Sequence, residues 1–256
     1  MSLSKNTSKF VKSLHQKKFR QKYDKFIAEG SKMVLELLSQ SRYPVSEIFA
    51  VPAWLATHGA DLTQRRIPFQ SINERELAQI SQLSTPNQVL AIINKPNSPS
   101  SSDAIADWVI YLDGLQDPGN VGTILRIADW FAIPQVIFGP GTVDLYNAKT
   151  LQATMGAFLR VECVEAKLET LLAAQPGLAC WGADMGGTDI FQLSVPPAGI
   201  LVIGNEGKGL QPDTQAALTE TVAIAAPPGS GAESLNAGVA CGILCAALRR
   251  GEVRSY

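Results

Sequence analysis

Three short polar segments in the C-terminal half carry residue types that can do chemistry. Asn120-Val121-Gly122 is followed, four residues on, by Arg126. Gly204-Asn205-Glu206-Gly207-Lys208-Gly209-Leu210 sets three glycines around a carboxamide, a carboxylate and an ammonium, and Ser234-Leu235-Asn236 opens the last apolar stretch. A guanidinium brings five donors and a fixed positive charge, and amide, carboxylate and hydroxyl groups can orient it. A glycine-rich backbone lets a ligand come close. Each segment stands at the end of an apolar run or the start of a helical one, where a parallel α/β sheet builds its ligand site.

Taken singly, each segment also has a plain structural account. Asn120 can cap the helix that follows, with Arg126 on its surface, and Ser234 or Asn236 can cap the last helix. The glycine loop can be a turn. It lacks the Lys-Ser/Thr pair of a Walker A loop and does not open the first helix of its domain as a dinucleotide fingerprint would. Gly238 and Gly242 in the last helix each cost about 1 kcal/mol relative to Ala, which points to close packing within the monomer or against another subunit.

The elements that must position these residues follow from the apolar pattern. Strand-like runs fall at Val45–Val51, Pro68–Ile72 and Gln88–Ile93, then at Trp108–Leu112, Gln135–Phe138, Arg160–Val164, Ala179–Ala183, Ile200–Ile203 and Thr221–Ala225. Helical patterns separate most of them, which predicts a parallel sheet covered on both faces in the second half. Near the start, Phe10, Val11 and Leu14 share one helical face, and Phe19, Tyr23, Phe26 and Ile27 share another; a short helix is expected over Met33 to Leu38. Lys95–Ser102 reads KPNSPSSS and marks a linker. The expected organisation is a small α/β domain over 1–95, a linker over 96–105 and a larger domain over 106–256.

Composition narrows the function. The 256 residues are 46% hydrophobic and 18% charged, which is globular. The net charge of −1 conceals an asymmetry: residues 1–32 hold nine Lys and Arg against Asp24 and Glu29, a local +7, so the remainder carries −8. A basic arm on an acidic body fits a polyanion partner, although a solvated helix face would carry the same charges. Four cysteines without a C-x-x-C pair and two histidines speak against a Cys/His metal site, so no metal is expected. No signal peptide or membrane-length apolar run is present, which predicts a cytoplasmic protein with no membrane partner.

Together the three segments resemble the signature motifs of the SpoU (TrmH-type) RNA 2′-O-ribose methyltransferases of the SPOUT superfamily. The matches are N-x-G-x-x-x-R at Asn120–Arg126, G-x-E-G-x-G-L at Gly204–Leu210 and S-L-N at Ser234–Asn236, over about residues 106–250. The N-terminal half resembles the family's L30e-like RNA-binding domain through its basic start, Phe26-Ile27-Ala28-Glu29-Gly30 and Gln88-Val89-Leu90-Ala91. Two departures are conservative in size: Ala132 stands where Gly is common, and Ala237-Gly238 replaces Val-Ser.

The resemblance implies a parallel α/β fold with a deep trefoil knot in its C-terminal part. It implies S-adenosylmethionine as cofactor, held by Gly204, Ile224 and Leu235, and a homodimer with the site near the subunit interface. It makes Arg126 the catalytic residue, with Asn120, Glu206, Ser234 and Asn236 positioning it and the ribose. A guanidinium keeps its proton, so base and electrostatic stabiliser both stay open as roles for Arg126. The substrate is expected to be RNA, rRNA before tRNA because of the extra N-terminal domain. The rivals are a tRNA methyltransferase, a catalytically silent RNA-binding protein on the same fold, and an α/β enzyme for a phosphorylated metabolite.

Overall fold

In a computed structural model, residues 3–83, 85–96 and 104–250 are described. The expected linker at 96–105 lies mostly outside them. The chain divides into two compact units, Met1–Asn97 with Tyr146–Gln152, and Ser98–Leu145 with Ala153–Tyr256.

The first unit contains α1 (Lys5–Ser13), α2 (Lys17–Tyr23), β1 (Lys25–Glu29), α3 (Ser31–Leu38), β2 (Val45–Ala50), α4 (Pro52–Gln64), β3 (Phe69–Ser71), α5 (Glu74–Ile80) and β4 (Val89–Asn94). Its four strands run in the order β1-β4-β2-β3. β4 is central and antiparallel to both neighbours, and β3 is parallel to β2. Val89 to Ile93 are buried without a break, as a strand covered on both faces requires.

One expectation fails here. Phe26 and Ile27 do not continue the helical face of Phe19 and Tyr23. Asp24 takes a left-handed conformation (φ 48°, ψ 41°), ends α2, and turns the chain into β1. Ile27 and Ala28 then pair with Ile92 and Ala91. These partners are far away in sequence, beyond the reach of a local periodicity.

The second unit contains β5 (Trp108–Asp113), α6 (Pro118–Trp130), β6 (Gln135–Phe138), α7 (Ala148–Thr154), β7 (Glu162–Glu165), α8 (Leu168–Ala174), β8 (Ala179–Asp189), β9 (Gly199–Gly204), α9 (Pro212–Ala216), β10 (Glu220–Ala223) and α10 (Ala237–Leu248). The first part of α7, to Gln152, groups with the first unit. The six strands run β10-β8-β9-β5-β6-β7, all neighbours parallel. This is the covered parallel α/β sheet that the apolar runs predict. Leu168 and Leu171 of α8 and Leu210 pack with Val109, Tyr111, Ile137, Ile200 and Val202 in one core cluster. α6 buries Val121, Ile124, Leu125 and Ala128, and α10 buries Cys241, Leu244, Cys245 and Leu248.

The two glycines of α10 pack within the chain, against α6. A Cβ on Gly238 would lie 3.0 Å from Thr123 Cγ2, and one on Gly242 would lie 3.5 Å from Ile127 Cδ1. At the far end Arg249 ties α10 down. It donates to the carbonyls of Phe131 and Ala132, each at 3.1 Å, and pairs with Asp107 at 2.8 Å.

Candidate active site

Pro118 at the first helical position fixes where α6 begins. The cap is Asp117, whose Oδ1 accepts from the Asn120 backbone N–H at 2.7 Å. Asn120 is therefore one turn inside the helix, not its cap, and its side chain is free for other work. Its Nδ2 donates to Glu206 Oε1 at 3.0 Å, and its Oδ1 accepts from Asn236 Nδ2 at 2.9 Å. Asn236 caps α10, its Oδ1 accepting from the N–H groups of Gly238 (2.9 Å) and Val239 (3.3 Å). One residue from each of the three sequence segments thus joins a single chain of hydrogen bonds, Glu206 to Asn120 to Asn236, ending at the N-terminus of α10.

Glu206 sits at the end of that chain because its loop is pinned. Asn205 and Gly209 exchange two backbone hydrogen bonds of 2.9 Å. Asn205 Nδ2 donates to the Gly114 carbonyl at 2.9 Å while its Oδ1 accepts from Gly207 and Lys208. Gly204 admits this tight turn because a Cβ there would lie 2.6 Å from the Gly209 carbonyl carbon. Beyond the loop, the buried Asp113 carboxylate accepts from the Gln211 backbone (2.7 Å) and side chain (2.6 Å).

The charge state of Glu206 follows. Partial burial alone would raise its carboxyl. The hydrogen bond from Asn120 and those from its own, the Asp117 and the Gln116 amides outweigh burial and hold it below the ordinary carboxylate range. Glu206 is accordingly a fixed anion at neutral pH and a poor proton acceptor; its geometry makes it a positioning group.

Two cavities flank this corner. The first, about 660 Å³, is lined by Gly204, Ile224 and Leu235, by Glu206, Ser234 and Asn236, and by apolar side chains including Ile203, Val222 and Leu244. Asp184 and Glu206 bring carboxylates to its wall, and among the described residues no Lys or Arg lines it. The second, about 570 Å³, is lined by Arg126, Arg160, Asp129, Trp130 and Met155 among others. Arg126 is exposed there and has no hydrogen bond or ion pair among the described residues. So the structure gathers seven of the eight expected site residues: six line the first cavity, and Asn120 joins them through Glu206 and Asn236. It leaves Arg126 on the other cavity.

Asp184 and Met185 escape the sequence reading. The pairing of β8 with β10 jumps from Gly182↔Thr221 to Thr188↔Val222, so the residues 183–187 bulge out of the ladder, and Ala183, Asp184 and Met185 reach the first cavity. Gly186-Gly187 is the one sequence signal for such a bulge. Asp117 was also legible, since a Pro at the next position favours it over Asn120 as the cap.

A parallel α/β sheet with a cavity at the carboxyl ends of β9 and β10 and a polar relay beside it defines a small-molecule site of the α/β class. Comparison with known proteins makes this specific. Residues 107–246 match the SpoU rRNA Methylase family and residues 5–91 match the MRM3-like substrate binding domain. The chain is 32% identical to the 23S rRNA (guanosine(2553)-2′-O)-methyltransferase RlmP of Bacillus subtilis, over 93% of this chain and 94% of the relative. It is 27% identical to the mitochondrial rRNA methyltransferase 3 of Xenopus laevis over 62% of this chain, and spans only 39% of that longer protein. The AdoMet-bound rRNA methyltransferase of Sinorhizobium meliloti superposes with a TM-score of 0.87 at 25% identity, covering 99% of both chains. The chain belongs to the SpoU rRNA methylase family.

Proposed function

We propose that the chain transfers a methyl group from S-adenosylmethionine to a ribose 2′-hydroxyl of ribosomal RNA. The observation that carries this reading is the hydrogen-bond chain Glu206–Asn120–Asn236, which ties all three family motifs to the rim of one cavity. The cavity fits the donor in size, within the usual range for small-molecule sites, and in charge. A sulfonium ligand is cationic, and the wall offers Asp184 and Glu206 with, among the described residues, no Lys or Arg. Gly204, Ile224 and Leu235 are the residues that would hold it, and Ser234 would position the ribose beside it.

When bound, the donor supplies a methyl carbon already activated by the adjacent positive sulfur, so the protein's task is to align the nucleophile and to stabilise the charge that develops on it. Arg126 is the group for that charge. A guanidinium donates and does not accept, so it stabilises an emerging alkoxide or grips the neighbouring phosphate, and the proton leaves to a phosphate oxygen or water. Glu206 and Asn236 hold the rim, and Asn120 locks both to α6, the helix that also carries Arg126.

The relatives named for rRNA support rRNA over tRNA as substrate. The match to a substrate binding domain supports the first unit, read as L30e-like, as the RNA-binding part. Exposed Trp130 and Met155, and exposed Val239 on α10, support a homodimer. A Trp130→Glu variant should then sediment as a monomer. The strand order supports a C-terminal knot: the chain passes from β9 over β8 to the edge strand β10, then returns across the sheet to α10 beside α6. Among the described residues no helix is long and apolar enough to cross a membrane, and we place the enzyme in the cytoplasm with the ribosome.

The test is methyl incorporation from labelled S-adenosylmethionine into total RNA, followed by mapping of 2′-O-methyl sites with and without the protein. A new site in 23S rRNA supports the proposal. Donor binding without incorporation into any RNA would reduce the protein to a silent binder on the same fold.

A further inference from the structure

The nine basic residues of the N-terminal arm are not equivalent. Arg20 is buried and donates to the carbonyls of Leu14 (3.0 Å) and His15 (2.9 Å), so it holds the α1–α2 turn. Lys25 is engaged by Ser46 and Asn94. The other seven lysines are exposed and make no ion pair or hydrogen bond among the described residues. Within this field lies an aromatic cluster. Phe19 and Tyr23, four apart on α2, stack with ring centroids 6.2 Å apart and planes 11° from parallel. Phe10 of α1 meets Tyr23 edge-on at 5.2 Å. Lys18 and Lys22 stand against the same two rings, with Nζ at 4.9 Å from the Phe19 centroid and 5.4 Å from the Tyr23 centroid. Tyr23 remains exposed.

A solvated helix face needs charge but has no use for rings held at its surface. A tract of unpaired RNA needs both: cations for its phosphates and aromatic faces for its bases. Regular duplex RNA hides its base faces and would use only the lysines. We propose that Phe19 and Tyr23 form a platform on which unpaired bases of the RNA substrate stack, with Lys18 and Lys22 moving from the rings to the adjacent phosphates. Phe10 braces Tyr23, so the platform is set before RNA arrives. This rests on RNA being the substrate and adds that the first unit selects single-stranded RNA by stacking.

The experiment compares three probes on the full chain: a short unstructured oligoribonucleotide, an abasic oligomer of the same length and charge, and an RNA duplex. Wild type should bind the unstructured strand about tenfold tighter than the abasic one, the contribution of about one base stack. The double substitution Phe19→Ala/Tyr23→Ala should remove that preference and leave the salt dependence of binding unchanged. Lys18→Ala/Lys22→Ala should instead reduce the slope of log K against log salt by about 0.7 for each phosphate no longer neutralised. Phe19→Tyr/Tyr23→Phe keeps both rings and should bind as wild type, separating stacking from folding. Equal wild-type affinity for the normal and abasic strands overturns the platform while leaving RNA binding intact. Failure of all three probes to bind with any salt dependence overturns the RNA reading itself. A change of sedimentation in the alanine variant, with RNA binding unchanged, assigns the cluster to a protein contact and also overturns the platform.

Discussion

The two cavities that flank the Glu206–Asn120–Asn236 relay differ in almost every respect that matters to a ligand. The first is acidic and apolar, built from strand ends and backbone turns whose polar groups are largely satisfied within the chain. The second is cationic and aromatic, with Arg126 unpartnered among the described residues and Trp130 78% exposed. A site with carboxylates on its wall suits a small cationic donor. An open site with an unpaired guanidinium suits a large anionic acceptor that arrives from outside. The division of labour in the proposed reaction is thus written in the charge of the two cavities. α6 links them: Asn120 at its start bonds to Glu206 and Asn236 on the rim of the first cavity, and Arg126 further along lines the second.

The sharpest way to break this comparison is Arg126→Ala. We expect turnover to fall by about 10²–10³-fold, the usual consequence of removing a stabiliser of developing negative charge. Donor affinity, measured by calorimetry with S-adenosylmethionine, should stay within about twofold, since Arg126 does not line the donor cavity. A matching loss of donor affinity would mean that the two cavities are one site.

Asn236→Ala tests the opposite side. It removes the cap of α10 and leaves Asn120 Oδ1 without its donor. The expected cost is about 2 kcal/mol of stability, with weaker donor binding. The same relay sets a pH dependence. The Glu206 carboxyl is held low in the folded chain, so its contribution to stability is fully present above the ordinary carboxylate range and disappears only as pH falls through the folded value. Donor affinity should therefore be level through neutral pH and fall only in acid. In Asn120→Ala the acid limb should move to higher pH, because the Nδ2 donor that favours the anion is gone. A titration centred near neutrality in wild type would contradict this account of Glu206.

Gly122→Ala strikes the helix that links the two cavities. A Cβ there would lie 2.3 Å from Ala153 Cβ and 2.8 Å from the Ala153 carbonyl carbon, so backbone has to move. About 1–3 kcal/mol of destabilisation is expected from such overpacking. Because α6 carries both Asn120 of the relay and Arg126, donor affinity and turnover should fall together, unlike either substitution above.

How much of this was legible in the sequence depends on the range of the interaction that fixes it. The parallel sheet was readable because apolar runs between helical patterns are a local signal. The convergence of Asn120, Glu206 and Asn236 was readable only from the joint order of three motifs, since their hydrogen bonds span 86 and 116 residues. β1 was missed because its partner β4 is distant in sequence and the helical period of Phe19 and Tyr23 runs on into it. The bulge at 183–187 was missed because a strand pattern shows where pairing is possible, not where it skips. Arg126's separation from the donor cavity was half legible: six residues from Asn120 is more than one and a half helical turns, so the two side chains need not share a face, but which cavity each face meets is set by distant elements.

The smallest expected effect concerns the far end of α6. By sequence, Ala132 is a replacement for the common glycine that is conservative in size. The structure gives it φ 51°, in the left-handed region. Ile133 N–H reaches back to the Ala128 carbonyl at 2.8 Å and Ala132 N–H to that of Asp129 at 3.4 Å, the pattern of a helix ended by a left-handed residue. Glycine adopts this conformation freely, whereas an L side chain is strained in it. The strain persists because Arg249 grips the carbonyls on either side of the turn's apex, at Phe131 and Ala132. Ala132→Gly should therefore stabilise the protein by about 1 kcal/mol, seen as a higher denaturant midpoint at unchanged slope. Because neither this turn nor Phe131 lines the donor cavity, donor affinity should not change. A loss of stability would show that Ala132's methyl packs better than its backbone suffers.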